Sequence, residues 1–408
     1  MMTPHDPFHA FVFLETGIEP GNGPLAGLSY AVKDLVSVAG RAPTCGLAEP
    51  PYPAAPATAP VISLLDRAGA MRRGFTEMPP LAYEASGANP NRVRPENPWN
   101  RQRICGGSSS GSAVAVCAGQ VDFALGTDTA GSLRIPAHCC GIAAWKPSPG
   151  VIDPAGTVPL APSLDSIGFL ARTPRTLFRV AKTFIGNAAG GPLRRMAIAR
   201  DCLATPGADR AVSSVTKDLE MLGIGLVDTA LTTFIKACDE PLFTVLDYEA
   251  SACHAALWKG GRLDPILTRR LEKGAAISTE RYEAARAALQ ELAGEALEAA
   301  FAGTEAILLP VLSIDTPLVE QCDPQSASFS GRTLYALSKF TRFVNAIGLP
   351  AVAFPAAYDG NHMPVAVQIV GRRGSDAMLL ELAAGLELGW SPGSFTPPDT
   401  GSSSGVQT

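Results

Sequence analysis

Two Gly/Ser-rich segments hold the residues of this chain best suited to chemistry: Cys105-Gly-Gly-Ser-Ser-Ser-Gly-Ser112 and Gly126-Thr-Asp-Thr-Ala-Gly-Ser132. The first has neither the Gly-Lys-Ser/Thr ending of a phosphate-binding loop nor the glycine spacing of a dinucleotide fingerprint. The second has a mechanical meaning. An apolar strand over 121–126 enters a tight loop of small residues over 127–131, and a helix can start at Ser132, interrupted by Pro136. Backbone N–H groups at the end of such a loop lack intrahelical partners and can bind a developing oxyanion. Ser132 stands where it could attack the carbonyl whose oxygen they hold. A serine at a helix start also serves as a plain cap. The local sequence leaves both roles open.

A nucleophilic serine needs a base. The five histidines are His5, His9, His138, His254 and His362, and no G-x-S-x-G elbow frames Ser132. His138, six positions after Ser132, falls on the wrong side of a helix to touch it. A lysine can serve instead when burial keeps it neutral, since desolvation lowers its free pKa of about 10.4 by several units. Lys33 closes the apolar run Tyr30-Ala31-Val32, and Asp34 beyond it points to the opposite face of the strand. A lone strand lysine can equally be solvent-exposed, and spacing alone does not bring Lys33 to Ser132.

The elements that must position these residues alternate between strand and helix. Strands are expected over 28–32, 121–126, 306–312, 351–354 and 363–370. Helices are expected over 61–70, over 113–119, from a Ser278 cap to about 302, and from a Ser375 cap to about 388. Residues 76–105, rich in Pro, Asn and Arg, read as a long irregular segment of the kind that is often functional. Residues 195–260 give little signal. The pattern favours an α/β fold, a large mixed sheet covered by helices. A single domain over 1–390 is expected, followed by a mobile Pro/Gly/Ser tail over 391–408.

Composition narrows the function. Of 408 residues, 46% are hydrophobic and 17% charged, enough apolar material for a sizeable core. The net charge of −5, with basic residues clustered only in pairs, carries no footprint for nucleic acid. No apolar run reaches the roughly 18 residues of a membrane span, and the start lacks a basic region followed by an apolar stretch, so no secretory signal is expected. Nine cysteines without a C-x-x-C suit reduced thiols in a cytoplasm. His138-Cys139-Cys140 cannot readily converge on one tetrahedral ion, because consecutive side chains diverge.

The run Gly106-Gly-Ser-Ser-Ser-Gly-Ser112, then Leu125-Gly-Thr-Asp-Thr-Ala-Gly-Ser-Leu-Arg134, Pro136, Cys140-Gly141 and Lys146-Pro147, resembles the amidase signature family. Ala31-Val32-Lys33-Asp34 is similar to its upstream lysine motif, and the intervals from Lys33 to Ser108 to Ser132 fit the family. The likeness is strong over about 24–180 and returns over 337–388, at Gly348-Leu-Pro-Ala and Pro364-Val-Ala-Val-Gln. The resemblance implies the twisted-sheet amidase fold, with helices on both faces, and a Ser–cis-Ser–Lys triad. Lys33 would be the base, Ser108 the relay after a cis Gly107–Ser108 peptide, and Ser132 the nucleophile. Thr129, Ala130, Gly131 and Ser132 amides would form the oxyanion hole, with Ser109 and Asp128 in support. Tyr83 would line the acyl pocket. Arg134 would meet a substrate carboxylate or brace the loop.

The resemblance further implies hydrolysis of a small carboxamide through an acyl-enzyme, with no metal or organic cofactor. The expected partner is a small-molecule amide, not nucleic acid or membrane, and a homodimer is left open. Ala130 stands where the family usually has Gly, Ser110 replaces a frequent Gly and Cys105 a frequent Pro. The short start before the lysine strand is similar to that of small stand-alone amidases such as the indole-3-acetamide hydrolases. The alternatives are an amidotransferase A-type subunit, an inactive family member acting as a scaffold, and a cysteine amidase using Cys139 or Cys140.

Overall fold

The computed structural model describes residues 6–16, 21–186, 190–387 and 396–397. The tail expected over 391–408 lies outside the described residues but for 396 and 397. The strands are β1 (Phe11–Leu14), β2 (Ser29–Lys33), β3 (Met71–Thr76), β4 (Phe123–Asp128), β5 (Ala143–Lys146) and β6 (Ser166–Ala171). They continue as β7 (Arg195–Ala199), β8 (Gly225–Thr229), β9 (Ala306–Pro310), β10 (Ala351–Tyr358) and β11 (Pro364–Gly371). All belong to one sheet, in the order β1-β3-β2-β4-β6-β5-β10-β11-β9-β7-β8. β2 runs parallel to β3 and β4, and β7 runs parallel to β8 and β9; the other pairings are antiparallel. The sheet is therefore mixed, as the sequence suggests.

Successive strand residues point to opposite faces, and each face builds its own core. In β2, Tyr30 and Val32 enter one hydrophobic cluster and Ala31 the other; in β10, Val352 and Phe354 oppose Ala353 in the same way. The second cluster presents Ala31, Ala124, Ala144, Ala353 and Ala366 to two short helices, Ser110–Cys117 and Arg134–Cys140. Methyl side chains let those helices settle close to the sheet, and every residue of both is buried. The first cluster is bulkier. Tyr30 stacks on Phe123, Trp145 stacks on Phe169, and the helices Pro60–Arg67, Pro174–Ile185, Pro206–Met221 and Thr232–Cys253 cover them. The helices at Pro174, Pro206 and Pro265 open with proline, whose missing N–H has no partner in a first turn. Thr173, Thr205 and Asp264 cap them by accepting backbone amides.

Several expectations change. β3 is unforeseen, because Arg72, Arg73 and Gly74 obscure the alternation of a strand flanked on both sides. The helix expected from 278 to 302 is two, Thr279–Leu292 and Glu295–Phe301, interrupted at Gly294; Ser278 does cap the first. Ser132 caps nothing. The following helix starts at Arg134, and Pro136 sits within its first turn rather than breaking it. The small-residue helix begins at Ser110, three residues earlier than the pattern suggests. Ser375 occupies the last N-cap but donates its hydroxyl to the Arg372 carbonyl, 2.7 Å away.

Candidate active site

Parallel pairing of β2 and β4 brings Lys33 beside the end of β4, where its Nζ donates to Thr127 Oγ1 at 2.9 Å. The same Nζ donates to Ser108 Oγ at 2.7 Å. Lys33 is not exposed, as a lone strand lysine would be; it has 0% of its surface exposed. Asp34, one residue on, turns to the other side and accepts Arg41 and Thr44. Burial pushes the Lys33 ammonium down to about 7 against the pull of the Asp165 and Asp128 carboxylates.

Ser108 follows a cis Gly107–Ser108 peptide and precedes the buried helix that starts at Ser110. Ser109 then joins the two Gly/Ser segments. Its hydroxyl donates to the Thr127 carbonyl at 3.1 Å and accepts the Thr127 amide at 3.3 Å, while its own amide donates to the Ser132 carbonyl at 3.1 Å. Ser109 Oγ reaches this position because residue 126 is glycine: a Cβ there would lie 2.7 Å from it. The residues carrying Ser108 and Ser132 are thus held side by side. Ser132 is half-buried, and its hydroxyl has no hydrogen-bond partner among the described residues.

Asp128 organises the loop between Thr127 and Ser132. It accepts the Gly131 amide at 2.8 Å, the Leu133 amide at 3.1 Å and two guanidinium nitrogens of Arg134. Burial raises the Asp128 carboxyl, but the Arg134 guanidinium, the Lys146 ammonium and the Leu133 amide together outweigh it and hold the group at about 2. The Gly131 amide is therefore engaged with Asp128. The Thr129, Ala130 and Ser132 amides have no acceptor among the described residues. Ala130 has no positive φ, so its Cβ is accommodated without a left-handed backbone. Gly131 differs: its φ is +129°, and an added Cβ would lie 2.2 Å from Thr341 Oγ1.

Arg134 does not line the cavity beside Ser132. It is fully buried, and besides Asp128 it donates to Gln368 at 2.9 Å and Asn345 at 2.6 Å. Its guanidinium is committed within the protein, so the substrate-carboxylate role gives way to bracing the loop. Asn345 Nδ2 also donates to the Asp128 carbonyl at 2.8 Å, and Thr341 Oγ1 to the Ala130 carbonyl at 2.7 Å. On the other side, Thr129 Oγ1 donates to Asp165 at 2.6 Å, and Asp165 accepts the Leu160 and Ala161 amides. Burial pushes the Asp165 carboxyl up to about 6. Thr127 and Gln368 stand in short motifs that the sequence singles out, but with no role attached, while Asp165, Thr341 and Asn345 lie outside any such motif.

A cavity of 260 Å³ opens on Ser132, Thr129 and Ala130, and Tyr83 forms part of its wall. The Tyr83 hydroxyl donates to Asp247 and its ring stacks under Arg270. Cys139 and Cys140 are wholly buried with thiols pushed up by desolvation, and neither lines the cavity. His138 accepts the Ala366 amide at 3.1 Å. No group of three or more metal-ligating side chains is gathered among the described residues, and no helix there is long and apolar enough to cross a membrane.

Comparison with known proteins identifies the family. The Amidase family model matches residues 15–195 and 192–380. The chain is 31% identical to Amidase 1 of Arabidopsis thaliana over 403 residues, covering 89% of this chain and 93% of that one. It is 30% identical over 421 residues to the A-type subunit of the glutamyl-tRNA(Gln) amidotransferase of Carboxydothermus hydrogenoformans, covering 90% and 84%. A solved amidase structure superposes with a TM-score of 0.81 at 29% identity, covering 93% of this chain and 92% of that one. The chain belongs to the amidase family and is a hydrolase of amide C–N bonds.

Proposed function

We propose that this chain hydrolyses a small carboxamide to a carboxylate and ammonia through an acyl-enzyme on Ser132. The observation that carries the reading is the buried contact of 2.7 Å between Lys33 Nζ and Ser108 Oγ, next to a serine that faces a cavity. With Lys33 neutral, Ser132 Oγ attacks the amide carbonyl and passes its proton to Ser108, which passes its own to Lys33. The amides of Thr129, Ala130 and Ser132 are the donors for the oxyanion; Gly131 acts by shaping the loop. Collapse of the tetrahedral intermediate breaks the C–N bond, and the proton returns through Ser108 to the leaving ammonia. Water then repeats the sequence on the ester. Covalent labelling of Ser132 by a fluorophosphonate, lost in Ser132→Ala, tests the reading. Labelling that persists in that variant would overturn it.

The similarity to part of an amidotransferase favours a second reading, in which the released ammonia serves a partner enzyme. Copurification with partner subunits would support it, and full amidase activity of the isolated chain supports the stand-alone reading.

A further inference from the structure

We infer that Asp165 is a positioning residue for the oxyanion hole: it holds Thr129 by the side chain, so that the Thr129 amide stands ready for the developing oxyanion. The inference rests on the Ser132 reading and names what aims one of its donors.

The ladder between β4 and β6 is antiparallel and pairs Asp128 with Ser166. One step beyond that pair, Thr129 and Asp165 face each other as the two chains part. Thr129 Oγ1 donates to Asp165 Oδ1 at 2.6 Å, and Asp165 Oδ2 accepts the Leu160 and Ala161 amides at 2.9 and 3.1 Å. Both carboxylate oxygens are engaged, and Asp165 is not among the residues that line the cavity. It therefore acts through Thr129 and does not touch substrate.

Thr129 is held from two directions. The peptide that carries its amide also carries the Asp128 carbonyl, which accepts Asn345 Nδ2 at 2.8 Å. In a planar trans peptide the carbonyl and the N–H point opposite ways, so a donor fixed on one sets the direction of the other. Asn345 fixes this peptide, and Asp165 fixes the side chain that follows it. Thr129 is 4% exposed and lines the cavity, and its amide has no acceptor among the described residues. An open amide on so buried a residue is a place for an acceptor from outside. The brace is itself anchored. The Ser163 amide donates to Glu249 at 2.9 Å, and the Leu164 carbonyl accepts Asn345 Nδ2 at 3.3 Å. Leu160 lines the cavity, so one carboxylate joins the oxyanion donor to a piece of the cavity wall.

The test compares butyl trifluoromethyl ketone with butyl methyl ketone, each read by how well it protects Ser132 from a fluorophosphonate. The fluorinated ketone readily forms a tetrahedral adduct with a serine, so the ratio of the two affinities reports the oxyanion contacts and cancels the shared chain. Asp165→Ala and Thr129→Val should each lower that ratio by roughly 10- to 100-fold, at or below the loss of a whole donor. The double variant should lose no more than Thr129→Val alone, because both changes cut the same contact. Asp165→Asn can turn its Nδ2 toward Thr129 Oγ1 and offer its oxygen to the two amides, so it should recover most of the ratio. An Asn as damaging as Ala would mean that Asp165 acts by its charge on Lys33, and would overturn the inference. Equal weakening of both ketones, the mark of a collapsed cavity, would overturn it too, as would additive losses in the double variant. Where Asp165→Ala does not fold, Thr129→Val decides, since it keeps the shape of the side chain. A wild type that the fluorophosphonate does not label at Ser132 removes the Ser132 reading, and this inference with it. Labelling at Ser132 with a ratio indifferent to Asp165 and Thr129 overturns this inference alone.

Discussion

Arg134 grips Asp128 through two nitrogen–oxygen contacts, at 3.0 and 2.9 Å, where neither side chain retains any exposure. Six residues apart, the two clasp the loop that ends at Ser132. Gln368 and Asn345 fill out the guanidinium, while the Gly131 and Leu133 amides fill out the carboxylate. Every member of the network is engaged, which is the condition under which buried charge gives a rigid arrangement.

Removing one partner leaves the other charged and buried. Arg134→Met is expected to lower unfolding free energy by about 3–5 kcal/mol in urea titrations. Asp128→Asn should cost less, since its amide oxygen still accepts from Arg134. Equal stability of Arg134→Met and the wild type would show that the network contributes nothing.

The proposed chemistry makes Ser132 and Lys33 indispensable. Ser132→Ala and Lys33→Ala should each reduce kcat by roughly 10⁴-fold or more, with the far-ultraviolet dichroism unchanged. Ser108→Ala removes the relay and should be almost as damaging. A rate within tenfold of wild type in Ser132→Ala would show that another group attacks.

With Lys33 held near 7, the neutral form needed of a base grows as pH rises through that value. The rate should climb from pH 5 to 8 and level off above. Deprotonation of Asp165 near 6 lies on the same rising limb. A steady fall between pH 6 and 9 would contradict the base assignment.

The same depressed lysine has a stability signature. Between pH 7 and about 10.4 the unfolded chain binds a proton at Lys33 that the folded chain has released, so wild-type stability gains with pH across that window. Lys33→Met carries no such term. Its thermal midpoint relative to wild type should be highest at or below pH 7, and the advantage should shrink toward pH 10. A difference independent of pH would mean that Lys33 titrates normally in the folded protein.

A cysteine amidase would be killed by alkylation. Every cysteine except Cys253 is buried, and Cys253 is only half-buried. Iodoacetamide under native conditions should therefore modify at most Cys253, seen by mass spectrometry, and spare hydrolysis. Inactivation that tracks modification of Cys139 or Cys140 would reinstate the thiol mechanism.

What the sequence reveals follows from how local each signal is. The Gly/Ser segments declare tight turns and exposed amides within a few residues, and the apolar run before Lys33 declares a strand end. The contact between Lys33 and Ser108 depends on parallel pairing of β2 with β4, which no short window contains. Thr341, Asn345 and Gln368 brace the loop from more than 200 residues away. Arg270 sits on a helix whose amphipathic pattern accounts for its apolar face only, not for what its cation meets. Gly131 reads as an oxyanion donor because loop amides look alike in sequence. Only the geometry shows its N–H already bonded to Asp128.

The bracing of the Ser132 loop has an implication for how the protein comes off the ribosome. Lys33, Ser108 and Ser132 are all synthesised within the first third of the chain, but Thr341, Asn345 and Gln368 emerge near its end. A nascent chain therefore carries the three side chains of the proposed triad before the supports of the Ser132 loop exist. On the proposed mechanism, competence waits for the last strands to dock, and the growing polypeptide is spared a live nucleophile until then.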